Sequence, residues 1–196
     1  MYRAMTLKIL RQEIDIHDAE CIGKVAEGTR IRLVQQRDEL RVLVDDQDVT
    51  DEIRSQAVTR AVSAVSAVRQ VRDVMVREQQ RMSAEGGVVL EGRDIGTVVF
   101  PSADLKIFMV ANLEQRARRR LEDLRQQGEN VPLENLVRDI SERDQKDSQR
   151  DISPLRKADD AIVLDTSTMT VDEQVDFVVS RAKEIVHEKE NESQHR

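Results

Sequence analysis

Gly92-Arg93-Asp94-Ile95-Gly96 sets an arginine beside an aspartate between two glycines, one residue after the β-branched run Gly87-Val88-Val89-Leu90. Such a run suits a buried strand, and ligands of open α/β sheets sit just past the carboxyl ends of strands. A guanidinium and a carboxylate at a strand end can hold a polar molecule. A surface turn in which both are merely solvated fits the spacing equally well. A second set lies in Ser141–Asp151, which contains no aliphatic residue. There Arg143, Asp147 and Arg150 recur at i, i+4 and i+7, one face of a helix. With nothing apolar to bury, that face is either a solvated, ion-paired helix end or a mobile flap that closes on a charged ligand. Upstream, Arg116, Arg118, Arg119 and Arg120 look like a basic tract, but residues 114–157 hold 11 Lys+Arg against 10 Asp+Glu. Interleaved charge weakens a nucleic-acid reading. Clustered arginine amid carboxylates suits a lid that grips phosphates, because guanidinium forks pair with phosphate oxygens two at a time.

These groups need a scaffold, and the chain is long enough for one. Its 196 residues allow one domain with a sizeable core and a smaller inserted lobe. A net charge of −7 argues against a general nucleic-acid binder and for a soluble protein. The single cysteine, Cys21, excludes an internal disulfide framework, fits a reducing compartment, and is expected to pack beside Ala19, Ile22 and Val25. No run of about 18 apolar residues suggests a membrane span, and no signal peptide opens the chain.

Periodicity supplies the elements. Helices are expected over Met1–Ile14, Asp15–Ala26 (closed by Gly28), Thr50 or Asp51 to Val68, and Val71–Ala84. Within the third, Ser63 and Ser66 read as small packing residues. Thr29–Gln35 and Glu39–Val44 form a hairpin turned at Arg37-Asp38. Leu105–Val110 and Ala161–Asp165 are strands. Asn112 caps a helix from Leu113 to Gln127, ended by Gly128. Pro132 starts another with the apolar stripe Leu133, Leu136, Val137 and Ile140. The last helix starts at Thr170 or Asp172 and faces Val175, Val178, Val179, Ala182 and Ile185 inward, before a polar, frayed tail from His187 to Arg196. Strands separated by helices give an α/β class with a parallel sheet; the hairpin lobe interrupts it.

Four stretches together carry a family resemblance: Met1-Tyr2-Arg3-Ala4, Asp51-Glu52-Ile53-Arg54-Ser55, Gly92 to Pro101, and Glu142 to Arg150. In this order they closely resemble bacterial cytidylate kinases, the CMP/dCMP kinases of the nucleoside monophosphate kinase group. The resemblance runs from Met1 to about Ile185. It implies a P-loop NTPase-like parallel sheet flanked by helices, in three parts. These are a core (1–24, 86–113 and 155–187), a CMP-binding insert with a small antiparallel sheet (25–85), and a helical lid (114–154), with a polar tail at 188–196. It implies CMP, dCMP and ATP as substrates, Mg2+ accompanying ATP, no nucleic-acid or membrane partner, a monomer, and a cytoplasmic location. By the family pattern Arg3, Arg93 and Arg150 clamp the CMP phosphate. Ser63, Arg72 and Asp94 read cytosine; a carboxylate at Asp94 accepts from the exocyclic amine, where uracil offers a repelled carbonyl. Tyr2, Arg143 and Asp147 line the ribose, and Arg119, Arg120, Arg143 and Arg150 cover the transferring phosphoryl group. No protein metal ligand is implied.

One family feature is missing from the 196 residues: no G-x-x-x-x-G-K-[ST] segment occurs. That loop supplies an amide cradle, a lysine for the β/γ-phosphates and a hydroxyl for magnesium. The family pattern puts a strand, this loop and a helix, roughly 30 residues, ahead of the Tyr-Arg pair. The expectation is therefore a truncated form of a full enzyme, with little or no turnover as it stands. The alternatives are a short product that binds CMP without transferring phosphate, and an arginine-rich RNA- or protein-interaction module centred on residues 116–125.

Overall fold

Helix α1 (Tyr2–Arg11) turns Ala4, Met5, Thr6, Leu7 and Ile9 inward. This apolar face is the centre of a core built with Ile22, Ile31, Val44, Val58, Val65, Val71 and Met75. These residues belong to the first of two compact units in the computed structural model, Met1–Leu90 with Arg150–Ile152; the second is Glu91–Gln149 with Ser153–Arg196. The structure describes residues 1–37, 39–126 and 128–194, the last three by backbone alone. The architecture is α/β, with one antiparallel and one parallel sheet among helices. This is the α/β class expected from the sequence.

In the first unit, α2 (Ala19–Glu27) is capped by Asp18, whose carboxylate accepts from the Cys21 amide at 3.0 Å. Cys21 itself is exposed rather than packed. Asp18 accepts a hydrogen bond from its thiol and its charge opposes ionisation, so the thiol is held above its ordinary range. Strands β1 (Ile31–Gln36), β2 (Glu39–Val44) and the two-residue β3 (Gln47–Asp48) pair antiparallel, with Ile31 opposite Val44 and Gln36 opposite Glu39. Of the turn expected at Arg37-Asp38, Asp38 lies outside the described residues. The helix expected to start at Thr50 or Asp51 is interrupted. Glu52–Arg54 make one 3-10 turn, Ser55 is extended (φ −57, ψ 156), and α3 (Gln56–Ala67) begins after it, its Val58 amide donating to the Ser55 hydroxyl at 3.5 Å. A serine that accepts from the third helical amide ends one segment and starts the next. Ser66 is buried, consistent with a packing role. Helix α4 (Arg69–Met82) follows.

The expected strand at Gly87–Leu90 is not formed. Val88 is 49% and Val89 97% exposed, and no described strand pairs with this stretch. A β-branched run becomes a strand only where another strand accepts its amides.

In the second unit, Ile95–Val99 wind into one π turn, with the Val99 amide on the Asp94 carbonyl (3.3 Å) and the Phe100 amide on that of Ile95 (2.7 Å). Gly92 permits this turn, because a Cβ there would meet Ile95 Cγ1 at 2.9 Å. Strands β4 (Ile107–Val110) and β5 (Ile162–Asp165) pair in parallel, Ile107 beside Ile162. Between them lie α5 (Leu113–Gln126) and α6 (Leu133–Gln149), a crossover of the kind parallel strands require. Asn112 caps α5 as expected, accepting from the Glu114 amide at 2.9 Å, and Gly128 sits at φ +80. The expected last residue of that helix, Gln127, lies outside the described residues. Ala117, Leu124 and Leu136 form a small core with Leu121, Leu133, Val137 and Ile140 around it.

Helix α7 (Val171–Gln194) opens on a capping box: the Thr170 amide donates to Glu173 at 2.7 Å, and the Glu173 amide to the Thr170 hydroxyl at 3.2 Å. Its apolar stripe is only partly turned inward, with Val178 and Ile185 half-buried. Val175 is 51% and Val179 42% exposed, and Ala182 is exposed too. Periodicity shows that a helix has an apolar face; it does not supply a surface to cover it. Nor is the segment from His187 frayed, since the helix continues to Gln194 and Lys189 pairs with Asp104. His195 and Arg196 lie outside the described residues. No described helix is long and apolar enough to cross a membrane.

Candidate functional site

The second unit gathers three guanidiniums and two carboxylates. Helix α6 carries Arg143, Asp144 and Asp147, so Arg143 and Asp147 share a face at i and i+4. The first turn of α5 carries Arg116, and the residues before the π turn carry Arg93. Asp144 is the hub. Its Oδ1 accepts from Arg93 Nη1 at 3.1 Å and from Arg116 Nη2 at 3.1 Å, and its Oδ2 accepts from Arg116 Nη1. Asp147 Oδ2 lies 3.5 Å from Arg93 Nε and 3.8 Å from Arg143 Nε, and its side chain is only 4% exposed. Three cations against two anions leave one net positive charge in a chain whose total is −7. Arg143 carries the least satisfied group: its buried Nε has no hydrogen-bond partner among the described residues. Burial and the repulsion of Arg93 pull its guanidinium below the ordinary arginine value, despite Asp147 and Asp144. A buried donor in a net positive cluster is a place for an anion.

For Asp144, burial alone would raise the carboxyl. The hydrogen bonds and charge of Arg116, and then of Arg93, overcome it and hold the group below its ordinary 3.8. A carboxyl depressed in the folded chain contributes stability that is present above its unfolded value and is lost as pH falls through the folded value. The urea midpoints of the wild type and Asp144→Asn should therefore differ at neutral pH and converge below about pH 4. Midpoints separated by the same margin on both sides of that pH would show that ionisation of Asp144 contributes nothing.

The neighbouring arginines divide. Arg119 reaches the β5–α7 connection, donating to the Thr166 carbonyl at 2.5 Å, the Thr166 hydroxyl at 3.3 Å and the Met169 carbonyl at 3.5 Å. Arg118 pairs with Glu114 one turn back. Arg120 is half-buried and makes no hydrogen bond or ion pair with a described residue. Asp94 is 5% exposed, and its carbonyl anchors the π turn.

The first unit holds Tyr2, Arg3, Ser63, Arg72 and Arg150. Arg3 is tied down by its Nε on the Ile53 carbonyl (2.5 Å) and its Nη2 on the Thr59 hydroxyl (2.8 Å). The Asp51–Ser55 stretch thus anchors a predicted phosphate ligand through its backbone. Arg72 is 2% exposed; its Nη1 donates to the Ser66 carbonyl at 3.1 Å, and its guanidinium lies 5.2 Å from the centroid of the Tyr2 ring. The Ser63 carbonyl accepts from the Ser66 hydroxyl at 3.1 Å.

The cytidylate kinase family model matches residues 1–184 of the chain. The chain belongs to the cytidylate kinase family. It is 47% identical over 188 residues to a cytidylate kinase of Salinibacter ruber, covering 93% of this chain and 82% of that protein. A Bacillus pumilus cytidylate kinase is 42% identical over 185 residues, covering 94% of this chain and 82% of the relative. One from Bacillus subtilis is 40% identical over 184 residues, with the same two shares. The match spans both units and every motif quoted from the sequence. Four groups in this family member escaped sequence reasoning: Arg116, Asp144, Thr59 and the Ile53 carbonyl. Arg116 stands in the basic tract and Asp144 beside Arg143, but nothing in their spacing pairs residues 28 positions apart.

Proposed function

We propose that this protein is a (d)CMP kinase, binding CMP or dCMP for transfer of the γ-phosphoryl group of ATP to give CDP or dCDP, and that the 196 residues, which contain no G-x-x-x-x-G-K-[ST] segment, bind CMP with little or no turnover by themselves. The observation that supports the reading is the Arg93–Arg116–Arg143 cluster on Asp144 and Asp147, a net positive group that joins two of the motifs carrying the family resemblance through Arg116 of the basic tract. An ionised oxygen of the CMP phosphate attacks the γ-phosphorus while the bond to the departing ADP oxygen breaks. The nucleophile needs no deprotonation, so the protein's work is positioning and charge stabilisation. Arg3, Arg93 and Arg150 hold the acceptor phosphate, and Arg119, Arg120, Arg143 and Arg150 neutralise the transferring group. For Arg119 that role requires release from the Thr166 and Met169 carbonyls. Tyr2, Arg143 and Asp147 face the sugar; Ser63, Arg72 and Asp94 read cytosine. Residues 25–85 serve as the acceptor insert, 114–154 as the lid, and 1–24, 86–113 and 155–187 as the core, with 188–196 outside it. Mg2+ enters as part of MgATP. The protein acts as a cytoplasmic monomer, where both nucleotides are found.

Calorimetric titration of the 196-residue chain tests this, with CMP expected to bind more tightly than UMP or AMP. Asp94→Asn should shrink the CMP-to-UMP preference by about tenfold, because a misread base edge is worth roughly 1–3 kcal/mol. No detectable CMP binding by the wild type overturns the function; an unchanged ratio removes Asp94 from base reading.

A further inference from the structure

We propose that Asp144 is a positioning residue for the nucleotide phosphate, acting through Arg93 and held in turn by Arg116. The inference rests on the CMP reading of this site and adds two residues to it. Arg93 stands on a loop before the π turn, and a long side chain on a loop loses several rotors when it is fixed on a ligand. Asp144 does that fixing in advance. Its Oδ1 takes Arg93 Nη1 at 3.1 Å. The carboxylate itself cannot swing, because Arg116 grips both of its oxygens. The order of support is therefore α5 to α6 to the loop: two rigid helices aim one flexible guanidinium.

The hold on Arg93 is partial in a useful way. Its Nη1 faces Asp144 and its Nε faces Asp147 at 3.5 Å, while Nη2 makes no hydrogen bond or ion pair with a described residue. One end of the fork stays available for a phosphate oxygen. Charge points the same way. Without the Asp144 carboxylate, three guanidiniums would face Asp147 alone within this cluster, and Arg93 would be driven away from Arg143 rather than held near it. A carboxylate that merely blocks the arginines until phosphate displaces it predicts the reverse effect on binding, so the two roles separate in one measurement.

The experiment compares CMP with cytidine, which lacks the phosphate, on the wild-type chain, Asp144→Asn, Asp144→Glu and Arg116→Lys. Asp144→Asn should weaken CMP about tenfold, the cost of ordering one or two freed arginines, and leave cytidine within about twofold. The lost charge should also steepen the salt dependence of CMP binding, because the site gains a net positive charge. Asp144→Glu should recover part of the affinity. Arg116→Lys, which replaces a fork with a point donor, should give a smaller loss confined to CMP. It also decides the matter alone if Asp144→Asn fails to fold. Unchanged or tighter CMP binding in Asp144→Asn overturns the inference, and equal losses for CMP and cytidine reduce Asp144 to a structural residue. A wild-type chain that binds neither ligand overturns the CMP reading itself, a result distinct from either.

Discussion

Arg93→Met is expected to lower CMP affinity about 100-fold and to leave the CMP-to-UMP ratio near that of the wild type. Methionine keeps much of the length and removes only the guanidinium. The cluster then holds Arg116 and Arg143 against Asp144 and Asp147, and its net charge falls from one positive to zero. An approaching phosphate dianion loses a charge-assisted hydrogen bond, worth about 1.5–3 kcal/mol. It also meets two carboxylates whose field is no longer outweighed. Together these reach about 3 kcal/mol, which is roughly two orders of magnitude in affinity. Asp147, only 4% exposed, loses one of its guanidiniums as well, so a modest loss of stability should accompany the change. Arg93→Lys should recover part of the binding and not all of it, because an ammonium restores the charge without the fork. Base preference should survive, since its reader in this scheme is Asp94. A loss below fivefold on calorimetric titration would take Arg93 out of the phosphate site, and a collapsed CMP-to-UMP ratio would mean that Arg93 and Asp94 do not act separately.

What could be read from the sequence follows how local each signal is. Asn112 and Thr170 each satisfy a helix amide within a few residues, so the starts of α5 and α7 were legible. Arg143 and Asp147 were legible for the same reason, one turn apart on α6. Burial was legible only where another surface covers the stripe, as it does Leu133, Leu136, Val137 and Ile140 on α6 and Met5 and Ile9 on α1. Val88 and Val89 have the pattern of a buried strand and lie exposed without a ladder, and Val175 and Val179 of α7 repeat at helical spacing and stay largely exposed. Pairing was the other hidden layer. Arg93 meets Asp144 across 51 positions, and Arg3 meets Thr59 across 56. Composition can say that arginines and carboxylates are interleaved there; only the fold says which carboxylate holds which arginine. Arg119 shows the cost of reading charge alone. It was expected to face phosphates, and in this structure its guanidinium spans three oxygens of Thr166 and Met169.

Arg72→Ala should cost about 3 kcal/mol of stability, and Arg72→Met should return more than half of that without returning full cytosine preference. Arg72 is the largest fully buried side chain in the described residues, 2% exposed on α4. It contributes packing volume, a hydrogen bond to the Ser66 carbonyl at 3.1 Å, and a cation 5.2 Å from the Tyr2 ring. Truncation to alanine removes all three and leaves a cavity beside the α1–α3 core, the kind of change that costs several kcal/mol. For a unit of this size that is a fall in Tm of about 10–20 °C. Methionine refills most of the volume and relieves the burial of a charge, and replacing a buried ion by a well-packed apolar side chain is often close to neutral. It cannot donate to a base. The pair of variants therefore separates the strut from the reader: stability should follow volume, and the CMP-to-UMP ratio should follow the guanidinium. Tyr2 is the chain's one tyrosine, so near-ultraviolet circular dichroism above 275 nm reports chiefly on the ring that Arg72 covers, and both variants should diminish it. A loss below about 1 kcal/mol in Arg72→Ala would show that the buried cation supports little. Wild-type base preference in Arg72→Met would leave it a strut alone, and cytosine would then be read without it.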